Sequence, residues 1–195
     1  MRDPMDIARL PATCGVAFKE WAGVCDALAA GRQVVILRKG GIAEGPGGFA
    51  PEHPAFWLYP TRVHEAEQGL RAEPVTPTPP PPAGSVDLRA LAVVAELGYL
   101  DHPEALPGLA EFHVWTEPTA RKRFDYRRPG LWVLGVRVFV QPEPLRIEET
   151  PAFAGCKSWV PLDEPLPTSG LRPVLDDEAF ARQMDRLRGV LGSSS

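Results

Sequence analysis

The alternation of apolar and polar side chains predicts several short strands. Residues 131–140 are the clearest, because every second side chain along them is apolar. Residues 33–38 are almost wholly apolar and rich in β-branched side chains, which is typical of an interior strand. Residues 56–59, ended by Pro60, and residues 157–161 predict two shorter strands.

Apolar stripes at helical spacing, together with capping residues, predict four helices. A helix places apolar side chains three and four residues apart on one face, and it begins at a capping residue and ends near glycine. The predicted helices cover residues 16–30 before Gly31, residues 62–68 after Thr61, a basic segment opened by Thr116 or Glu117 with Pro118, and a final segment from Asp176 or Asp177 to Gly192.

Residues 86–97 fit a strand by their alternation and a helix by their spacing, and we favour the strand. The predicted order of elements is then α-β-β-α-β-α-β-β-α. This order lacks the regular strand-helix alternation that builds a doubly wound parallel sheet. We therefore predict an α+β fold with a mixed, strongly curved sheet or a half-open small barrel flanked by helices.

The chain length suits one domain with one main core over residues 1–192. Residues 72–85 are rich in proline, which favours an extended, solvated path, so we predict an exposed excursion between two halves of one fold. Its alternative role is a docking motif for a proline-binding module. Residues 193–195 predict a frayed tail.

Composition and charge narrow the class of protein. The apolar fraction of 44% and the charged fraction of 24% are typical of a globular protein, and the net charge of −4 is unlike that of a free-standing basic nucleic-acid binder. A local basic patch remains compatible with this charge. The chain carries three cysteines without C-x-x-C spacing, no signal-peptide pattern and no membrane-length apolar run. We therefore expect reduced thiols, a soluble cytoplasmic protein, and no metal or cofactor.

A pair of cations and a pair of glycines follow the predicted interior strand. Arg38 and Lys39 precede Gly40 and Gly41, so backbone amides and two positive charges could form an anion site there. The sequence lacks the frame of a Walker A loop, and the glycines are equally typical of a simple turn. His64 lies near the start of a predicted helix, which favours a neutral imidazole suited to a general base, a ligand or a surface histidine.

The second half of the chain combines cations with aromatic rings. Arg123 and Lys157 lie near Trp115 and Trp159 in the sequence, and cations beside exposed rings are typical of sites for single-stranded nucleic acid. The alternative is a solvated basic helix whose tryptophans belong to the core. His113 is either part of such a site or a core histidine bonded to a carbonyl.

Other chemistries have little support in the sequence. His64, His113 and Cys156 have no paired spacing of the kind that zinc sites use. Lys157 could activate Cys156 as a nucleophile, although a lone cysteine after glycine is more often packed than reactive. Nudix, zinc-protease, nucleophile-elbow and dinucleotide motifs are absent from the sequence.

Several segments of the chain are distinctive in sequence and order: residues 17–21, 37–42, 56–61 with His64, 113–116, 123–124, 136–138 and 155–160. Together they resemble a bacterial family catalogued as domain of unknown function 1802. The match runs from the first predicted helix to Pro161, and the proline run is a local departure from it. The resemblance implies a family and no activity. The strand-rich second half also resembles the PUA-like barrels, a fold that includes readers of RNA and of modified bases.

These observations lead to three hypotheses. The first is a non-enzymatic binding domain for an anionic ligand, with nucleic acid as the leading ligand class and Trp115 or Trp159 as a stacking wall. The second is a small hydrolase or nuclease with a histidine base and a lysine electrophile, and the third is an interaction subunit with no activity of its own. The residues expected to line the site are Arg38, Lys39, His64, His113, Arg123 and Lys157.

Overall fold

The computed structural model describes residues 10–39, 51–62, 69–71, 77–153, 155 and 157–192, and within these ranges the chain forms seven strands and four helices. The strands are β1 (Thr13–Trp21), β2 (Val35–Arg38), β3 (Ala55–Thr61), β4 (Ser85–Leu100), β5 (Leu131–Glu148), β6 (Trp159–Pro167) and β7 (Arg172–Pro173). The helices are α1 (Ala22–Ala29), α2 (Leu106–Leu109), α3 (Glu117–Asp125) and α4 (Asp177–Gly192).

All seven strands belong to one mixed sheet. Its order is β2-β5-β4-β3-β1-β6, and β7 adds to the same edge of β5 beyond Val35, the first residue of β2. The pairing of β1 with β3 is parallel, and the other pairings are antiparallel. The long β4–β5 ladder shifts register twice, and such bulges bend a sheet. The sheet does not close, so the predicted α+β fold with a curved, half-open sheet is confirmed.

The two edges of the sheet approach each other. Arg38, the last residue of β2, donates from Nε and Nη2 to Oγ of Ser158, at 3.0 and 2.6 Å. Ser158 directly precedes β6, which is the opposite edge of the sheet. Because β2 and β6 are the ends of the strand order, they meet only if the sheet curls. We call the gap between these two edges the seam.

Two apolar clusters hold the fold together, one on each side of the sheet. The larger cluster joins α1, α3 and α4 to the sheet and includes Phe18, Leu134 and Leu187. The smaller cluster includes Trp57 and Phe139. The strands β4 and β5 contribute side chains to both clusters, so both faces of each strand are largely buried where these clusters form.

The predicted helix over 16–30 is wrong in its first part. Residues up to Trp21 form β1, and only Ala22–Ala29 are helical. An apolar stripe at helical spacing fits the sequence, but β1 lies between β3 and β6 and forms ladders with both. Pairing on two sides therefore overrides the local helical pattern.

The strand predictions and the two later helix predictions hold with altered ends. The ambiguous segment 86–97 is a strand, and Thr116 caps α3 by accepting a hydrogen bond from the Thr119 amide. Pro60 does not end β3, because β4 pairs only with the first three residues of β3 and leaves Pro60 without a β4 partner. Trp132, on the apolar face of β5, is half-buried. The predicted helix 62–68 and the glycine loop after Lys39 lie outside the described residues.

The described part of the proline-rich segment, residues 77–84, forms no strand and is mostly exposed. It is nevertheless fastened to α1: the amide and hydroxyl of Thr78 donate to the Asp26 carboxylate at 3.1 and 2.6 Å. Arg62 donates to the Thr78 carbonyl from the end of β3. None of the helices in the described ranges has the length and apolar character that a membrane span requires.

Two glycines test the packing of α4 on the sheet. A Cβ at Gly135 would lie 2.8 Å from Leu187 and 3.0 Å from both Glu96 and Met184, whereas a Cβ at Gly189 would meet nothing within 4 Å. We expect Gly135→Ala to lower the free energy of unfolding by about 1–3 kcal/mol through overpacking. Gly189→Ala should raise it by about 0.5–1 kcal/mol, because alanine favours a helix. Urea denaturation measures both, and equal effects would contradict the described packing.

Candidate functional site

A buried carboxyl lies at the end of β1. Alternation along the strand places Glu20 on the same face as Phe18, and Glu20 is only 4% exposed. Its Oε1 accepts the Trp21 amide hydrogen at 2.7 Å. Burial raises the pKa of Glu20, while the positive charge of Arg38, the Trp21 amide and the charge of Arg123 oppose that rise.

Two arginines from different elements act on this carboxyl. Arg38 comes from the end of β2, and its guanidinium lies 5.0 Å from the ring centre of Phe18. Arg123 comes from α3, and its guanidinium lies 4.9 Å from the ring centre of Trp21. Among the described residues, neither arginine forms an ion pair with Glu20.

The described residues use little of the hydrogen-bonding capacity of the two guanidiniums. Ser158 takes two of the five N–H donors of Arg38, and Arg123 donates to no group within the described ranges. Burial lowers the pKa of Arg123, Glu20 raises it and Arg38 lowers it further. Arginine side chains carry a positive charge, so Arg38 and Arg123 repel each other near the buried carboxyl.

Aromatic rings surround these polar groups. Trp21 packs against Trp115 with ring centres 5.6 Å apart. On the other side Phe18 and Trp159 are cross-strand partners on β1 and β6, with ring centres 4.8 Å apart in an edge-to-face arrangement. Trp159 also contacts the ring of Phe56, at 5.1 Å. We call the whole arrangement the seam site; its members are Glu20, Arg38, Arg123, Ser158, Phe18, Trp21, Trp115 and Trp159.

The structure brings together some of the predicted site residues and separates others. Arg38, Arg123, Trp115 and Trp159 belong to the seam site. Lys39 follows Arg38 but turns elsewhere: its Nζ donates to carbonyl oxygens of the chain segment 124–130. Burial lowers the pKa of Lys39, and Asp125 opposes that shift. Lys39 therefore fastens the turn after α3. Its hydrogen bonds to described residues go to this turn and not to members of the seam site.

The other lysine also has a local partner. Lys157 donates from Nζ to the carbonyl of Ala152. Its neighbour Ser158 is fully buried and points to Arg38, so the polar group that this segment gives to the seam is the serine hydroxyl. His64 and Cys156 lie outside the described residues.

His113 is a core residue. It is 2% exposed, its Nδ1 accepts the Trp115 amide hydrogen at 3.1 Å, and its buried Nε2 has no partner among the described groups. Burial, with a smaller effect of the Arg71 charge, lowers the pKa of His113 to about 4. The expected bond to a carbonyl is therefore replaced by a bond from an amide. A buried imidazole of this kind is poorly placed to act as a base on a ligand.

Sequence analysis missed Glu20 and Ser158. Glu20 was assigned to a helix, where it would lie on the solvated face. As a strand, the same residues put Val16, Phe18 and Glu20 on one side, and an acid that continues an apolar face is a signal of a buried polar site. Ser158 had no such signal, because only the curl of the sheet brings it to Arg38.

No group of three or more histidine, cysteine, aspartate or glutamate side chains in the described ranges could hold a metal ion. Cys14 and Cys25 are buried free thiols. Burial is the main cause that raises the pKa of each, which disfavours the reactive thiolate.

The buried His113 leads to a prediction about how the free energy of unfolding depends on pH. The folded protein keeps this imidazole neutral down to about pH 4, whereas an unfolded chain protonates it near 6.5. Protonation therefore favours unfolding, and stability that is present above pH 6.5 should fall by about 3 kcal/mol as the pH drops to about 4. In His113→Asn, an amide oxygen replaces Nδ1 as the acceptor but does not titrate. Urea melts across this pH range should show a smaller acid-side loss in the variant, and equal losses would contradict the prediction.

Comparison with known proteins gives a family. A crystal structure of a serine-to-alanine mutant of an ASCH protein from Zymomonas mobilis aligns at a TM-score of 0.46 with 14% identity, covering 91% of this chain and 99% of that chain. The ASCH structure from the same organism without this substitution aligns at a TM-score of 0.42 with 13% identity, covering 87% of this chain and 93% of that chain. No curated protein sequence matches the chain. The model described as Domain of unknown function (DUF1802) matches residues 17–186, and this chain therefore belongs to that family.

Proposed function

We propose that this chain binds an anionic ligand at the seam site, and that the ligand is single-stranded nucleic acid. One observation carries the proposal. Arg38 and Arg123 converge on Glu20 without pairing to it, and most of their N–H donors have no partner within the described residues. Guanidiniums gathered in this way are suited to the oxygens of a phosphate, which would also relieve their mutual repulsion.

The aromatic rings support a nucleotide over a simple inorganic anion. Trp21 and Trp159 are half-buried, and the Trp21 ring lies directly beside the Arg123 guanidinium. In proteins that bind single strands, bases stack on such rings. In a duplex the faces of the bases are already stacked on each other and are not available to a protein ring. Glu20 adds a hydrogen-bond acceptor, which is the group that an amino substituent of a base requires.

Removing either arginine charge should weaken binding. Arg38→Gln and Arg123→Gln each lose charge-assisted hydrogen bonds, so we expect a loss of about 10- to 100-fold in affinity for a short single-stranded RNA or DNA. The matched control is Arg182→Gln, which removes the same charge from α4, where Arg182 pairs with Glu178. Fluorescence polarisation at two salt concentrations measures the affinities, and thermal melts verify that each variant folds.

Salt should also weaken binding by the wild type, because phosphate contacts release counterions. Two outcomes would overturn the proposal: no binding to any single strand at low salt, or site variants that bind as well as the Arg182→Gln control.

The burial of Glu20 at the end of β1, which raises its pKa, also favours a second candidate, a hydrolase in which Glu20 moves a proton within the seam site. Glu20→Gln separates the two. In a binding protein, the wild type should gain affinity as the Glu20 carboxyl becomes protonated at lower pH. Glu20→Gln removes the negative charge, so it should bind more tightly than the wild type near neutral pH and should not show this gain. In a hydrolase, the same variant should bind but no longer cleave. Binding curves from about pH 5 to about pH 8, with gel analysis of the strand, measure both effects.

A further inference from the structure

We propose that a second surface, next to the seam site, holds the nucleotides that flank the one bound there. This inference rests on the proposed function and extends it, because it makes the ligand a strand of several nucleotides. We call this surface the aromatic shelf. It consists of the rings of Tyr99, Tyr126 and Trp132 and the cations Lys122, Arg127 and Arg128.

The shelf begins beside Arg38. In the sheet register, Arg38 of β2 is opposite Trp132 of β5, and Trp132 is opposite Tyr99 of β4. Side chains of directly opposed residues on neighbouring strands lie on the same face. Arg38, Trp132 and Tyr99 therefore form a row on one face of the sheet, which leads from the seam to the solvent.

The rings of the shelf are more exposed than the fold requires. Tyr99 is 51% exposed and Tyr126 is 45% exposed, and both are among the few large apolar side chains that the described chain leaves in solvent. Tyr99 packs edge-on against Trp132, with ring centres 5.1 Å apart. Among the described residues, its hydroxyl has one long contact of 3.5 Å, with the Pro129 carbonyl. The outer face of Tyr99 is therefore available for stacking.

The turn after α3 fixes Tyr99 in place. A Cβ at Gly130 would lie 2.3 Å from the Tyr99 hydroxyl, so only glycine lets the ring lie against this backbone. Lys39 holds the same turn by donating to the carbonyl oxygens of Phe124 and Gly130, at 2.8 and 2.7 Å, and of Arg128. A ring and a turn fixed before binding reduce the ordering cost of a complex.

The charges of the shelf point to a polyanion. Lys122, Arg127 and Arg128 form no ion pair with any described residue. The three arginines of α4, by contrast, all pair with acids. Arg127 also lies 5.1 Å from the ring centre of Tyr126. Exposed rings interleaved with unpaired cations are suited to a single strand, with its bases on the rings and its phosphates on the cations.

The experiment compares a 5′-mononucleotide with a single-stranded RNA of about eight nucleotides, a length within the site sizes of single-strand binders. Isothermal titration at low salt measures both ligands on the wild type, Tyr99→Ala, Tyr99→Phe, Arg127→Gln and the Arg182→Gln control. The wild type should bind the RNA at least about 10-fold more tightly than the mononucleotide. Tyr99→Ala should lose about 5- to 150-fold of RNA affinity, as expected for one stacked base, and keep its mononucleotide affinity.

The controls define the contributions of ring and charge. Tyr99→Phe should bind RNA like the wild type, because the hydroxyl has only a long contact. Arg127→Gln should weaken RNA binding and reduce its salt dependence, whereas Arg182→Gln should do neither. Because Tyr99 and Arg127 act through different interactions, a folding defect in one variant leaves the other as a test. Circular dichroism melts identify such a defect.

Equal affinity of the wild type for RNA and mononucleotide, or an unchanged RNA affinity in Tyr99→Ala, would overturn the proposal of the aromatic shelf while leaving that of the seam site intact. A Tyr99→Ala variant that loses mononucleotide affinity as well would also overturn it, since Tyr99 would then belong to the seam site. Self-association of the wild type that Tyr99→Ala abolishes would overturn it in favour of a protein contact. Failure of both ligands to bind the wild type would refute the proposed function itself.

Discussion

The bond from Arg38 to Ser158 is the constraint on which the candidate site depends. It joins residues 120 positions apart and fixes the side chains of two sheet edges that the strand order puts at opposite ends and that the curl of the sheet brings close. Each edge contributes different chemistry: β2 ends in a cation, and the start of β6 supplies a hydroxyl and the Trp159 ring. β1 lies beside β6, so the same curl places Glu20 within the field of Arg38. A flat sheet with this strand order would leave these groups on separate surfaces.

The curl itself comes from the longest pair of strands. β4 and β5 share most of the ladder and shift register twice, so the bend is built into the backbone of the centre of the sheet and does not rest on the bond at the seam. The apolar clusters on both sides then fix the bent shape, because β4 and β5 pack on both faces. The Arg38–Ser158 bond therefore orients the side chains at the seam, while the curvature that brings them near each other has an independent cause.

Much of this could be read from the sequence, for reasons that are local. The alternation in 131–140, the cap at Thr116 and the stripe of α4 depend on near neighbours, and all three elements are present. Arg38 and Arg123 were singled out by residue type beside a buried strand and near aromatic rings. Their convergence on Glu20 depends on how β1, β2 and α3 are arranged in space. No local sequence pattern predicts that arrangement. The prediction of a helix over β1 placed Glu20 on a solvated face, so Glu20 was not recognised as a buried acid. Lys39 is the opposite case. It lies next to Arg38 in the sequence, but its hydrogen bonds go to the carbonyl oxygens of a turn.

The anchor at Thr78 has a consequence for how the chain can vary. Arg62 and Asp26 hold Thr78 from two sides, and the amide of Arg71 donates to the Val114 carbonyl, so the stretch between residues 71 and 78 has both ends fixed to the body of the protein. The entropic cost of closing a loop grows only slowly with its length, by about 0.6 kcal/mol for each doubling. Insertions or deletions in this stretch would thus change the folding free energy little and leave β3 and α1 in place. A family member could lengthen or shorten the proline run without disturbing the register of the sheet, provided that the residues at the base of the loop are kept.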